Sequence, residues 1–252
     1  MTEVLIAIPA HDEEAEIGAC LEQVARAVRL ARECPSCVRT SVAVSAHRCS
    51  DDTFEVAVAA LADLPGRHLV TRDEVSHTVG QVRARLVARA TSGVRAEPEH
   101  TWLLSTDADS LVPADWVVET LDAARRRGAV AVAGMVGLRG WDAPPEVRQR
   151  YQALIDAGVG PDGHTHVYGA NLAVRLDAYQ RVGGFRPGHG EDQDLVDRLR
   201  AAGERVVSSF SPLVRTSARH PGRAEHGLGA LLQRMQEPLV PRVGVSAHSS
   251  TV

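Results

Sequence analysis

At 252 residues the chain exceeds the usual domain of roughly 100 to 200 residues, yet a single α/β domain reaches this length. Its 44% of hydrophobic residues suffice for a sizeable core without disulfides, and with only 4% aromatics that core is expected to be aliphatic. A net charge of -4 speaks against a protein that wraps nucleic acid, and because all 28 basic residues are Arg, phosphate must be met by an Arg fork, a His, a backbone N–H or a metal.

The first predicted element is a buried strand, Val4 to Ile8, followed by a helix whose Ile17, Leu21, Val24 and Val28 recur at three- and four-residue steps. A strand at Val42 to Val44 comes next, then a helix from near Asp51 carrying Phe54, Val58 and Leu61. A short strand, His68 to Val70, precedes a helix from Thr78 to Ala90. The strand Trp102 to Ser105 delivers Asp107 and Asp109 to its carboxyl end, where open α/β sheets bind ligands. Pro113 opens a helix through Arg127, and Ala129 to Val136 reads as a strand buried on both faces. Beyond it lie a helix from Glu146 to Ala157, a Gly- and His-rich loop from Gly158 to Tyr168, and a short segment from Gly169 to Arg175. A helix from Asp192 to Ala202, ended by Gly203, then leads to strand-like Arg205 to Ser209.

Strands alternating with helices imply an α/β fold with a mainly parallel sheet. One domain is expected over residues 1–237, with a nucleotide-binding half (1–112) and an acceptor-binding half (113–237); residues 238–252 carry little to bury and read as a disordered tail. No signal peptide is evident, and no apolar run reaches the roughly 18 to 20 residues that span a bilayer, so a cytoplasmic protein is expected. Cys34 and Cys37 have knuckle-like spacing, but no second ligand pair follows; two reduced thiols in a turn is the competing reading.

Two motifs carry chemistry. In Asp107-Ala108-Asp109, carboxylates two residues apart beyond a strand can reach one hard cation, Mn²⁺ or Mg²⁺, on a diphosphate; a capped turn explains the same triplet. In Gly190-Glu191-Asp192, carboxylates open a helix whose dipole keeps them ionised, as a general base for an acceptor hydroxyl must be.

Four blocks in order resemble the family 2 glycosyltransferases over about residues 3 to 222: Ile8-Pro9-Ala10-His11-Asp12-Glu13-Glu14, Cys49-Ser50-Asp51-Asp52-Thr53, Thr106-Asp107-Ala108-Asp109-Ser110, and Gly169-Ala170-Asn171 through Gly183-Gly184-Phe185 to Gly190-Glu191-Asp192. The resemblance implies a GT-A fold. Pro9, Ala10 and Glu13 would border the base and ribose, Asp51 would sit near the base, and Asp107 and Asp109 would take ribose and metal around Ala108. Asp192 would be the acceptor base, with Glu191 orienting it or touching the sugar, and Arg83 would contact the diphosphate. His220 is the candidate third metal ligand, with His226 its competitor. Tyr168, Gly169, Ala170 and Asn171, with His164 and His166, are placed on the acceptor side by position alone. Trp102 and Trp116 are expected in the core, whereas Trp141 could face a sugar. Ala46-His47-Arg48 departs from the family pattern, which leaves the nucleotide unnamed.

The expected reaction is transfer of a hexose from a UDP- or GDP-sugar to a hydroxyl of a small or lipid-linked acceptor. Inversion is expected, with a retaining outcome left open. The alternatives are a non-catalytic nucleotide-sugar-binding scaffold and a sugar-1-phosphate nucleotidyltransferase; the acidic stretch His11 to Glu14 stands where the latter needs a Gly-rich basic loop.

Overall fold

The computed structural model describes residues 2–34, 38–188, 190–219 and 228–236. The first half is built from β1 (Glu3–Ala10), α1 (Ile17–Glu33), β2 (Arg39–His47), α2 (Thr53–Leu61), β3 (Arg67–Asp73), α3 (Val79–Thr91), β4 (Thr101–Ser105) and the short β5 (Ser110–Leu111). The second half contains α4 (Trp116–Arg127), β6 (Ala131–Arg139), α5 (Pro145–Ala157), β7 (Val159–Gly160), β8 (Gly163–His164), β9 (Leu172–Arg175), α6 (Leu176–Arg181), α7 (Glu191–Ala201), β10 (Val206–Ser217) and α8 (Leu228–Gln236).

One eight-stranded sheet runs through both halves in the order β3-β2-β1-β4-β9-β6-β10-β5. The strands β3, β2, β1 and β4 are parallel neighbours. β9 lies antiparallel between β4 and β6, which makes β6 and its parallel partner β10 run in the same direction as β4.

The side-chain alternation of β1 divides the core. Val4, Ile6 and Ile8 face a cluster holding the buried stripe of α1 together with Leu61 of α2 and Trp116 and Val117 of α4. Leu5 and Ala7 face the opposite cluster, with Leu86 and Val87 of α3, Tyr179 of α6 and Leu195, Val196 and Leu199 of α7. Helices therefore cover both faces, which is why β1 reads as a continuous apolar run. Two helix ends follow from glycine: Gly128 caps α4 at φ 59, and Gly203 follows α7 at φ 76.

The departures from the sequence reading lie mostly in the second half. The Gly158–Tyr168 loop contains the β7–β8 hairpin, and the segment before Arg175 is an antiparallel strand. The last strand is much longer than Arg205 to Ser209; it crosses a register irregularity between Ser209 and Val214 that contains Pro212, where a strand tolerates proline. Helix α4 starts at Trp116, whose N–H bonds the Pro113 carbonyl in the preceding turn. Among the described residues no helix is long and apolar enough to cross a membrane.

Candidate active site

Because β1, β2, β4, β6 and β10 share a direction, their carboxyl ends lie on one edge of the sheet. β9 runs the other way, so residues 168–171 enter it from that same edge. Topology alone thus gathers the ends of β1 and β2, the turn after β4, the entry to β9 and the end of β10.

The turn after β4 carries Asp107 and Asp109. Ala108 is buried in the core beneath it. The Asp107 carbonyl accepts from the Ser110 N–H (3.1 Å) and the Cys20 thiol (3.4 Å), while the Asp109 carbonyl accepts from the Ser217 N–H (3.2 Å) and Arg139 (3.0 Å). The backbone of the turn is therefore fixed by α1, β6 and β10, and the carboxylates start from a rigid base.

Their electrostatics are uneven. Burial, then the charges of Asp107 and Glu13, raise the Asp109 carboxyl to about 6, against the lowering effects of Thr216 and Arg219. Thr216 Oγ1 donates to Asp109 at 3.1 Å, and the Arg219 guanidinium stands 3.8 Å away. Arg219 is otherwise forked onto buried Glu13, with contacts of 2.8 and 2.5 Å. Asp107 and Asp109 thus share one turn, with the Glu13–Arg219 pair beside Asp109. Such an oxygen-rich, acid-heavy donor set fits a hard divalent cation.

Arg83 of α3 is the junction. It is 2% exposed and donates to Glu191 (3.1 Å), to the Ser105 hydroxyl, and to Asp107 (2.5 Å). Two glycines permit the close packing here. A Cβ on Gly169 would lie 2.6 Å from its guanidinium, and one on Gly80 would lie 2.1 Å from the Arg186 carbonyl oxygen, blocking the approach of α3 to the start of α7. Glu191 is buried and its carboxyl is raised by burial, with Arg83 opposing. The next residue, Asp192, accepts the Gly169 N–H at 2.6 Å and the Gln193 N–H at 2.8 Å. One guanidinium therefore connects Asp107 to the residue beside Asp192.

The remaining site residues fall into two groups. Pro9 and Ala10 pair with Ser45 and Ala46 at the ends of β1 and β2. Asp51 accepts the Glu14 N–H at 3.1 Å, the Thr53 N–H at 3.1 Å and the Thr53 hydroxyl, so its carboxylate ties the first loop to the second. On the other side, Tyr168 stacks on His166, with ring centroids 5.8 Å apart, and burial pushes its hydroxyl up to about 12. Ala170 is in the core. Asn171 is buried and fully paired: its amide donates to the Met135 and Pro212 carbonyls at 2.9 and 3.0 Å, and its oxygen accepts from the Trp116 indole at 2.9 Å. In this arrangement Asn171 ties β6, β10 and α4 together.

His220 and His226 lie outside the described residues, as does Cys37; Cys34 is a free thiol. Trp116 is in the core as expected, while Trp141 meets Tyr151 edge-on at 5.1 Å. Sequence reasoning missed Ser105, Thr216 and Arg219. The only signal for Arg219 was its place after the last strand, beside the histidine that drew attention there.

No curated protein matches the chain. Among solved structures, the mannosyltransferase PcManGT from Pyrobaculum calidifontis, in complex with GDP-Man and Mn²⁺, is similar at 18% identity and a TM-score of 0.61, covering 87% of this chain and 58% of that one. TarS 1-349 from S. aureus in complex with UDP-GlcNAc is similar at 14% identity and a TM-score of 0.62, covering 88% and 60%. The chain thus spans about three fifths of the length of these structures, and at such identity the likeness establishes the fold, which is GT-A. The sequence profile described as "Glycosyltransferase like family 2" matches residues 2–236, nearly the whole chain, so the chain belongs to the family 2 glycosyltransferases.

Proposed function

We propose that the chain transfers a hexosyl group from a UDP- or GDP-sugar to an acceptor hydroxyl with inversion. The observation that carries this reading is the Asp107–Arg83–Glu191 connection, which joins a carboxylate turn suited to a diphosphate-bound cation to the helix start bearing Asp192. In support, similar folds have been seen with GDP-Man and Mn²⁺ and with UDP-GlcNAc.

Pro9, Ala10 and Glu13 form the wall for base and ribose, and Asp51 holds that wall in place. Asp107 and Asp109 hold Mn²⁺ or Mg²⁺, which when bound supplies Lewis-acid stabilisation of the departing nucleoside diphosphate. The small or lipid-linked acceptor enters past Tyr168 and Gly169. Its oxygen attacks the anomeric carbon as the bond from that carbon to the diphosphate oxygen breaks, and its proton passes to Asp192. The Gly169 and Gln193 N–H groups hold the Asp192 carboxylate oriented for that transfer. Arg83 acts in this reading both as a positioning residue, with three of its five N–H groups on Glu191, Ser105 and Asp107, and as the cation beside the diphosphate.

Melting measurements against a panel of nucleotide-sugars, with and without Mn²⁺, test the donor half. A true donor at 100 times its dissociation constant stabilises the fold by about 2.7 kcal/mol. The shift should appear only with the metal, and a flat response to every UDP- and GDP-sugar would overturn the reading. An NMR assignment of the product anomer tests the base, since retained configuration contradicts the role given to Asp192.

A further inference from the structure

The loops after β1 and β2 meet at a second cluster, built from different chemistry. A ring nitrogen of His11, a carboxylate oxygen of Asp12 and the thiol sulfur of Cys49 all lie within 4.8 Å of one another. Each is held from outside the cluster. The His11 ring bonds the His47 carbonyl through Nδ1 at 2.7 Å, and Asp12 Oδ1 accepts from the Ser50 N–H at 2.6 Å and its hydroxyl at 3.2 Å. The Cys49 thiol donates to the Ala10 and His47 carbonyls at 3.7 Å and its sulfur accepts the Asp12 N–H at 3.4 Å, while burial pushes the thiol up. Outer partners of this kind orient metal ligands. Asp12 and Arg48 also take left-handed backbone, at φ 51 and 46, which costs energy in residues other than glycine. The two loops are joined by the Asp12–Ser50 and Glu14–Asp52 contacts.

Nitrogen, carboxylate and sulfur in one set select a borderline ion of the zinc type, unlike the all-oxygen pair at Asp107 and Asp109. We infer that His11, Asp12 and Cys49 form a second cation site that takes Zn²⁺, with water completing its shell. Occupancy would staple the first loop, which carries Glu13 and Glu14, to the second, which carries Asp51. The site itself does not depend on the donor reading; its effect on donor binding does.

Co²⁺ added to the metal-free full chain tests the site, since thiolate ligation gives a sulfur-to-cobalt absorption band in the near ultraviolet. One equivalent should develop the band in the native chain and in Asp107→Ala, and the band should vanish in Cys49→Ser and weaken at least tenfold in apparent affinity in His11→Ala. Circular dichroism on each variant confirms folding, and Zn²⁺ should displace the cobalt. Absence of the band in the native chain overturns the proposal, as does a band that survives Cys49→Ser or disappears in Cys34→Ser. If the band forms while no nucleotide-sugar shifts the melting temperature, the zinc-type site stands and the donor reading falls.

Discussion

Asp109 is a carboxylate with too little positive charge around it. Its partners Thr216 and Arg219 do not offset burial and the charges of Asp107 and Glu13, so its carboxyl rests at about 6. A cation bound there competes with a proton, and Mn²⁺ affinity should fall up to tenfold for each pH unit below 6. The apo protein behaves oppositely. A carboxyl raised in the fold contributes stability that is present below its unfolded value near 3.8 and is lost as pH rises through about 6. Melting curves from pH 5 to 7 should show Mn²⁺ stabilisation growing with pH, and a pH-independent metal effect would contradict the assignment. Arg83 presents the complementary case. Arg83→Ala leaves buried Glu191 without its cation and should cost about 3 to 5 kcal/mol in urea unfolding. Asp107, Asp109 and Asp192 were legible in the sequence because each sits in a short motif. Thr216 and Arg219 were not, because they reach Asp109 and Glu13, respectively, across 107 and 206 residues of chain.

At the scale of elements, periodicity revealed what had a buried stripe or an apolar run. Helices α1 and α3 and strands β1 and β4 show this, since each buries most of one face or both. It failed where a strand is short, antiparallel or interrupted. β9 is four residues long behind a 3-10 turn, and β10 contains Pro212 and an irregular register. Those two strands hold the second half together through Asn171, whose side chain bonds β6, the Pro212 carbonyl and Trp116. Asn171→Ala leaves these buried groups unpaired and should lower stability by roughly 2 to 5 kcal/mol, measured by denaturant unfolding. The same variant should leave Mn²⁺ affinity in the surviving folded fraction within about twofold. A large loss of metal affinity with unchanged stability would place Asn171 in the site instead.

Across the whole molecule, one sheet direction explains why motifs far apart in sequence converge. Strands β1, β2, β4, β6 and β10 end on one edge, and antiparallel β9 begins there, so residues 9–14, 48–53, 107–109, 168–171 and 217–219 meet along it. The order of the four sequence blocks made that convergence legible. The acceptor was not, because the residues expected to face it include Ala170 in the core and Asn171 consumed by structural hydrogen bonds. The central claim is that the carboxylate turn and Asp192 form one catalytic unit for sugar transfer. Its most direct test is nucleoside diphosphate release from GDP-mannose, UDP-GlcNAc and related donors with Mn²⁺, comparing the native chain with Asp107→Ala and Asp192→Asn. Metal-dependent release by the native chain with some donor is expected, reduced by about 100-fold or more in both variants. Donor-dependent release that persists without metal, or that survives both substitutions, would contradict it.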